Sequence, residues 1–427
     1  MLIFLYLSRS HYRHAELGLE NGIYDPVHSH LIKARELLPL KTAPFLCKAD
    51  LQRIHTGLGR VWYEKARKQL NQIDRYTAMK ESLTHYKTAL ELGSRDILAV
   101  KGIAQTTAAL EFAFSTLFPG RENKYTALPL FDQVSKLHPA NYDSQKTVAN
   151  YLYQKGLKKE IYSQIQHMAE QSPSSYKKIK KESFYSPLFA AAVRTGLENA
   201  IEKNITPVYA YLSLSNLLED ERQFYEAAQY LKKAMEFQRI GKTADNLIKL
   251  GTLFLKAQKK QPANEAFLSG LNKSPTPRKH LDTIYNQFRK QKDDIGFVEF
   301  AAFAEANNFN SYKLKLLAAK AQIAQKLFEP AKKTLNSIND REPNPEAWYL
   351  LAMIAQKQKD WDGMELSIQK ATVLDPDNGR YYDIFANSLI HQKKYISAAK
   401  YMQNAIKNDP GNQRYKIKLK KIQSKIN

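Results

Sequence analysis

Cysteine is nearly absent from this 427-residue sequence, and glycine and proline are scarce. Cys47 is the only cysteine, which excludes an intrachain disulfide and any metal site made of cysteines. A lone cysteine is more often an inert buried thiol than a nucleophile, so we predict no chemistry at Cys47. The 16 glycines and 17 prolines are few for a chain of this length, and they favour helices joined by short turns.

The sequence also lacks the motifs that catalysis and phosphate binding require. Gly18, Gly57 and Gly59 do not stand in the strand–loop–helix setting of a phosphate-binding loop, and no Gly-x-Ser-x-Gly elbow occurs. His11 and His14 could share one helical face, but a zinc site would need further ligands from another hairpin. We therefore predict that the protein is not an enzyme and that it has no catalytic residue, metal site or cofactor.

Acidic residues are fewer than basic residues in this chain. Lys and Arg total 65 against 42 Asp and Glu, which gives a formal net charge of +23. The excess is spread along the sequence, and its densest run consists of Lys177, Lys178, Lys180 and Lys181. We interpret this run as a solvated linker, while an acidic protein, a membrane surface or a nucleic acid stays open as its partner.

Residues 1–7 form a short apolar run that ends at Ser8, Arg9 and Ser10. Seven residues are too few to cross a bilayer, which needs about 20, and no cleavage site of a signal peptide follows. Two interpretations stay open. The run either begins a packed helix that continues to about Asn21, or it is the end of a truncated membrane helix.

A 34-residue repeat organises the carboxyl-terminal part of the chain. When the sequence is shifted by this interval, aromatic, leucine-type, alanine and Asp-Pro positions coincide. The coinciding pairs are Trp348 and Tyr382, Leu351 and Phe385, Ala352 and Ala386, Ala371 and Ala405, and Asp375-Pro376 and Asp409-Pro410. The alanines allow helices to cross closely, and the proline ends the second helix of each hairpin.

These positions resemble the tetratricopeptide repeat family. The same frame extends back over residues 208–241, 244–277 and 312–344, and residues 278–311 fit as a degenerate repeat with Gly296-Phe297 where a small residue is expected. The resemblance implies an all-α fold, namely an α-solenoid in which helical hairpins stack into a right-handed superhelix. A solenoid needs a terminal cap for its last apolar face, and the polar, lysine-rich end of the chain suits that role.

The amino-terminal half is divergent and fits the repeat less regularly. Pro139 and Pro173 keep the 34-residue interval, whereas residues 65–76 suggest an inserted arm and residues 114–125 an inserted loop. We predict four regions: divergent helical hairpins over 1–170, a basic linker and bridging helix over 171–206, a tetratricopeptide array over 207–412 and a capping helix over 413–427.

In the tetratricopeptide family, the first helix of each hairpin lines a concave groove that binds partners. Carried over to this sequence, the groove candidates are Tyr209, Leu212, Asn216, Asp245, Thr252, Lys313, Lys320, Glu346, Tyr349, Met353, Arg380, Asp383 and Asn387. Their mixed character suits an extended peptide or a partner helix. Asn216 and Asn387 fall where some family members place the asparagine of a carboxylate clamp. Leu212 and Asp383 stand where its lysine is expected, so the clamp is not supported.

The resemblance implies a non-enzymatic scaffold with a protein or peptide partner. A weaker resemblance, limited to the apolar opening and residues 12–15, is to O-antigen ligase-like membrane proteins at the start of their periplasmic repeat tail. It implies a bacterial protein with a membrane tether, a periplasmic or membrane-associated location and a role in surface-polysaccharide assembly; a cytoplasmic location is the alternative. The alternative function, suggested by the net charge of +23, is nucleic-acid binding along a basic helical array.

Overall fold

The structure is a computed structural model that describes residues 2–93, 95–238 and 240–426. In these ranges the chain forms 23 α-helices and two short 3-10 turns, and no strand occurs among them. The predicted all-α fold is therefore confirmed. The helices belong to two compact units, Met1–Leu217 and Leu218–Asn427.

Unit 1, Met1–Leu217, consists of helices that pack in consecutive pairs. Its helices are α1 (Leu2–Glu20), α2 (Asp25–Glu36), α3 (Pro44–Lys68), α4 (Gln72–Leu92), α5 (Ile97–Leu117), α6 (Leu128–Leu137), α7 (Tyr142–Gln154), α8 (Lys158–Gln171), α9 (Tyr176–Ile179), α10 (Ala190–Glu202) and the first part of α11 (Pro207–Asp220). α1 packs on α2, α3 on α4, α5 on α6, and α7 on α8. This pairing extends the hairpin pattern into the half of the chain where the sequence repeat is faint.

Two irregularities were predicted in unit 1, an inserted arm and an inserted loop, and only the loop is present. The inserted arm over residues 65–76 is wrong: α3 and α4 are 25 and 21 residues long, so the additional residues lengthen both helices of the hairpin. Residues 67–75 are exposed, so the additional residues form a solvated hairpin tip in which the helices satisfy most of the backbone hydrogen bonds. The loop expected near residues 114–125 is confirmed, since the chain is irregular between the end of α5 and the start of α6.

The lysine-rich stretch after α8 is packed on one side and solvated on the other. Tyr176, Ile179 and Phe184 are buried, whereas the four lysines between positions 177 and 181 are exposed. Glu182 accepts a hydrogen bond from Tyr142 at 2.8 Å and pairs with Lys146 at 2.9 Å. These contacts tie the stretch to α7, so it is an ordered connection with a solvated basic face.

Unit 2, Leu218–Asn427, is a stack of helical hairpins. After the end of α11, its helices are α12 (Phe224–Ala234), α13 (Ala244–Lys256), α14 (Lys260–Lys273), α15 (Pro277–Lys290), α16 (Asp294–Ala306), α17 (Tyr312–Ala324), α18 (Phe328–Asn339), α19 (Pro345–Gln358), α20 (Trp361–Leu374), α21 (Gly379–His391), α22 (Tyr395–Asn408) and α23 (Gln413–Gln423). Each first helix packs on its own second helix and on the first helix of the next hairpin, as α13 does on α14 and α15. This near-neighbour packing is that of an α-solenoid, which confirms the predicted architecture.

The backbone of unit 2 marks the repeat at the turn inside each hairpin. One residue in each turn adopts the left-handed conformation with φ between 57° and 62°, and these residues are Arg222, Gln258, Lys292, Lys326, Lys359 and Lys393. At Lys326, the N–H of Leu327 donates to the carbonyl of Gln322 at 2.9 Å, which satisfies the end of α17. Lys292 lies 34 residues after Gln258 and 34 residues before Lys326. Residues 278–311 are therefore confirmed as a degenerate repeat in the common register.

Aromatic side chains fill the degenerate hairpin of α15 and α16. Tyr285 and Phe297 meet edge to face at 4.9 Å between ring centroids, at positions where the neighbouring hairpins carry smaller residues. Phe288 and Phe300 complete the cluster at 6.1 Å from each other. As a result, α15 and α16 approach each other less closely than the helices of the hairpins α13–α14, α17–α18, α19–α20 and α21–α22. The sequence difference noted at Gly296-Phe297 therefore changes the spacing of the hairpin and not its topology.

Two apolar segments of unit 1 bear on the predicted membrane tether. By length and hydropathy α5 could cross a membrane, but 56% of its apolar window is buried in the fold, as in an ordinary core helix. In α1, Leu2, Ile3 and Phe4 are exposed, whereas Ser8 is buried and donates to the carbonyl of Ala34 at 2.7 Å. Met1 lies outside the described residues, and the tether stays a prediction.

Candidate partner-binding site

Most of the charged groove candidates in unit 2 bind side chains on the first helix of a neighbouring hairpin. From α13 to α19, each charged candidate contacts a side chain on a neighbouring first helix at 2.9 Å; two of these contacts are ion pairs, and the third joins an aspartate to a histidine. The pairs are Asp245 with His280, Lys313 with Asp282, and Lys320 with Glu346. The two lysine candidates on this part of the groove face are thus neutralised by carboxylates of neighbouring hairpins.

The other candidates before α19, together with Met353, are packed or bonded locally. Thr252 donates to the carbonyl of Ile248 on its own helix at 2.9 Å, and Met353 packs against the core of unit 2. Tyr209, Leu212 and Asn216 lie half-buried on α11 in the part that belongs to unit 1. These residues do not line the cleft found at the other end of unit 2.

Four groove candidates converge on one open cleft of about 690 Å³ between α21 and α23. They are Tyr349, Arg380, Asp383 and Asn387. The remaining lining residues are Ile384, Asn412, Arg414, Tyr415, Ile417, Lys418 and Lys421. We call this space the carboxyl-terminal cleft, and it is the candidate site.

Arg380 and Tyr349 form one wall of the carboxyl-terminal cleft. The guanidinium of Arg380 lies 4.3 Å from the centre of the Tyr349 ring, and its Nη2 donates to the Tyr349 hydroxyl at 2.7 Å. Burial raises the pKa of Tyr349, while the positive charge of Arg380 acts in the opposite direction. Since Tyr349 is only 5% exposed, it acts as a fixed support that holds the arginine in place.

The opposite wall comes from α23, which contributes Arg414, Lys418 and Lys421. Lys418 pairs with Asp383 through Oδ1 and also donates to its backbone carbonyl at 3.2 Å. Arg414 and Lys421 line the same cleft and have no ion-pair partner among the residues described. Asn387 adds a side-chain amide that has no hydrogen-bond partner among the described residues. The cleft therefore combines an aromatic support, an open amide and an excess of positive charge.

Sequence reasoning missed the contribution of α23. Arg414, Lys418 and Lys421 are separated by four and three residues, a spacing that puts them on one helical face. That spacing could have indicated a functional face, but a lysine-rich terminal helix is equally typical of a solvated cap.

Unit 1 holds a second cleft, of about 800 Å³, that the groove prediction also missed. Its charged lining residues come from α1, α3 and α5 and are Glu16, Glu20 and Glu64 together with Arg60, Arg67 and Lys101. Three carboxylates balance three cations, and Glu64 and Arg67 pair directly at 3.2 Å. Tyr12 and Tyr63 supply aromatic surface. The phase of the amino-terminal hairpins was not set by the sequence, so their inner faces could not be named.

The histidines of unit 1 meet in pairs across helices. Nδ1 of His11 lies 3.1 Å from Nδ1 of His30, and Nδ1 of His55 lies 3.0 Å from Nδ1 of His85. No group of three His, Cys, Asp or Glu side chains in the described residues is arranged to hold a metal ion. Cys47 is fully buried, and burial raises the pKa of its thiol, so its predicted inert character is consistent with its position.

Comparisons with known proteins agree with the repeat architecture. Residues 301–354 match the model of the tetratricopeptide repeat family, which covers the end of α16, the α17–α18 hairpin and most of α19. No curated protein matches the chain. The comparisons give no support to the weaker resemblance to O-antigen ligase-like proteins.

Among solved structures, the chain is similar to yeast Tom70 at 13% identity and a TM-score of 0.35, with 98% of this chain and 95% of that chain covered. It is also similar to the Cut9–Hcn1 hetero-tetramer of APC/C at 13% identity and a TM-score of 0.33, with 97% and 90% covered. The P58(IPK) tetratricopeptide domain is 14% identical with a TM-score of 0.24, and 88% and 98% are covered. Scores this low carry no information on partners.

Proposed function

We propose that this chain, in which residues 301–354 match the tetratricopeptide repeat model, is a non-enzymatic scaffold that binds a segment of a partner protein in the carboxyl-terminal cleft. The observation that carries this proposal is the convergence of four first-helix candidates with α23 on one open space of about 690 Å³. A cleft of this size, with fixed aromatic and amide groups, suits several residues of a peptide or one face of a helix.

The test is a selection of displayed peptides against the full chain, followed by affinity measurements on the enriched peptides. Tyr349→Ala combined with Asn387→Ala removes the support of Arg380 and the open amide, so we expect binding to weaken about tenfold or more. The matched control is Leu366→Ala with Val373→Ala, two exposed apolar residues on α20 that do not line the cleft. This control should bind the peptides as the unchanged protein does.

Truncating a buried tyrosine also tests the fold, so a second variant separates binding from stability. Asn387→Trp fills the half-open cleft without removing a core residue. We expect an unchanged melting temperature and lost binding. Full binding by both cleft variants would move the site to another surface.

Nucleic-acid binding is the second candidate function, and the formal net charge of +23 favours it. Its test is the affinity of the full chain for single-stranded RNA at rising salt. The neutralised face between α13 and α19 speaks against a continuous basic track. Membrane association and a role in surface-polysaccharide assembly stay predictions that depend on the first residues of the chain.

A further inference from the structure

We propose that the carboxyl-terminal cleft recognises an acidic segment, in which Asp or Glu side chains stand next to apolar residues. This inference rests on the proposed function, because it names the chemistry of the partner bound in that same cleft.

The first argument is the charge of the lining residues. Four cations, Arg380, Arg414, Lys418 and Lys421, stand against one carboxylate, that of Asp383. Asp383 is already paired with Lys418, so the other three cations have no carboxylate opposite them within the described chain. Cations gathered around a concave surface attract negative charge more strongly than the same cations spread over a convex one. An occupant with carboxylates would neutralise them.

The second argument is that this excess is local. Along the groove face from α13 to α19, both lysine candidates pair with carboxylates at 2.9 Å. In the cleft of unit 1, three carboxylates balance three cations. Within the part of the chain that the structure describes, the excess at the carboxyl-terminal cleft therefore does not follow from the overall positive charge, because the cations named on these two other surfaces are paired or balanced by carboxylates.

The third argument is that Arg380 is held in place before binding. A guanidinium has five N–H donors, and the Tyr349 hydroxyl takes one of them at 2.7 Å. The others can reach a carboxylate, and the stacked side chain has less conformational freedom to lose on binding. Arg380 is thus suited to be the first contact of an acidic side chain.

The fourth argument distinguishes a protein segment from a nucleic acid. Single-stranded nucleic acids bind where aromatic rings offer a free face to successive bases. The ring of Tyr349 is 5% exposed and carries Arg380 on one face, so it cannot serve as such a platform. Tyr415, the other tyrosine of the cleft, is half-buried against the core of unit 2, which leaves no row of free rings for successive bases among the described lining residues. The exposed Ile417 instead offers an apolar contact beside the cations, above the largely buried Ile384. A segment in which apolar side chains alternate with carboxylates would contact both the apolar surface and the cations.

The experiment measures fluorescence anisotropy of a labelled peptide with the full chain. The probe carries four glutamates around a central phenylalanine, and its matched control carries glutamines instead. The test variant is Arg414→Gln with Lys421→Gln. The matched control variant is Lys416→Gln with Lys420→Gln, two exposed lysines of the same helix that do not line the cleft. Both variants lower the net charge equally.

We expect the glutamate peptide to bind at low salt, to bind about tenfold more weakly to the cleft variant, and to bind the control variant with little change. Affinity should fall as sodium chloride rises, since screening shortens the reach of the charges. Equal losses in the two variants, or equal binding of the glutamine peptide, would overturn the proposal. If the peptide does not bind, and single-stranded RNA binds the unchanged protein but not the cleft variant, the nucleic-acid function is favoured instead.

Failure of the acidic chemistry can be told from failure of the cleft itself. If the selected peptides are neutral but still need Tyr349 and Asn387, the cleft binds partners and the acidic preference is wrong. If the glutamate peptide binds and ignores Tyr349→Ala with Asn387→Ala, the site lies elsewhere and both proposals fail.

Discussion

At the scale of single residues, charge pairing decides which of the predicted groove side chains can meet a partner. Lys320 and Glu346 are within 2.9 Å of each other across two helices, whereas Arg414 and Lys421 have no such partner among the described residues. Partly exposed ion pairs contribute only about 0.2–1 kcal/mol each, so these pairs do little for the free energy of unfolding. Their larger effect is to remove charge from most of the groove, which leaves the carboxyl-terminal cleft as its basic part.

The histidine pair His55–His85 predicts a loss of stability in acid. The two Nδ1 atoms lie 3.0 Å apart, so one must accept a hydrogen bond from the other. When both rings are protonated, neither nitrogen can accept. Burial, and then the nearby His55, lowers the pKa of His85 from 6.5 to about 4. Between these values the unfolded chain binds a proton that the folded chain does not, so stability falls as pH falls.

Thermal unfolding between pH 7 and pH 4.5 measures this effect. After allowance for the partial exposure of His85, we expect the pair to contribute a loss of about 1–2 kcal/mol over this range. His85→Gln should flatten the pH dependence. His138→Gln, at an exposed histidine of the same unit, is the control and should keep the original slope. Identical slopes for the two variants would contradict the assignment.

At the scale of the helix, each hairpin of unit 2 matches a residue on its first helix to one on its second, 16 positions later in the chain. Gly251 faces Phe267, and a Cβ on Gly251 would lie 2.4 Å from the phenylalanine ring. The corresponding residues in the other hairpins are Tyr285 and Ala301, Ala319 and Leu335, Ala352 and Ile368, and Ala386 and Met402. A small residue on one helix is thus accompanied by a larger one on the other, and the degenerate hairpin reverses the order.

Gly251→Ala tests this size matching. In an exposed helix the change would stabilise by about 1 kcal/mol, but here the ring of Phe267 must move, and overpacking costs about 1–3 kcal/mol. We therefore expect net destabilisation in chemical denaturation. In the background of Phe267→Leu, which reproduces the Ala319–Leu335 combination, the cost of Gly251→Ala should shrink or change sign. Strictly additive effects would show that the two residues are not coupled.

At the scale of the whole chain, each compact unit has its own core of buried apolar residues. In unit 1, Leu58 is fully buried in a cluster from α1, α2 and α3. In unit 2, Ile368 is fully buried in the cluster that runs from α17 to α23. Solenoid repeats are stabilised mainly by their nearest neighbours, so damage to one core should act locally.

Hydrogen exchange of paired core variants measures this locality. Leu58→Ala, which should cost about 2–5 kcal/mol, is expected to increase exchange in α1–α4 and to leave α19–α22 protected. Ile368→Ala is the reciprocal variant, with the opposite expected pattern. Loss of protection along the entire chain in either variant would mean that the two units unfold as one.

Much of the fold could be predicted because the sequence features that specify each hairpin lie close together in the chain. The interval of 34 residues, the alanines at 352 and 386, and the Asp-Pro pairs at 375 and 409 act within single hairpins. The same reasoning failed over residues 65–76, where α3 and α4 simply run longer than a regular repeat. The repeat interval does not report where a helix ends, and because residues 67–75 are exposed, no buried apolar pattern marks the extension.

The sequence by itself determined that this protein is an all-α repeat protein, since period, residue size and helix breakers act on neighbouring residues of one chain segment. Only the tertiary structure decided which first-helix side chains remain available to a partner. Asp245, Lys313 and Lys320 are engaged by residues from adjacent hairpins, about one repeat away. The cleft beside α21 exists because α23 folds back against it, and charge and space there depend on contacts between segments that sequence spacing does not report.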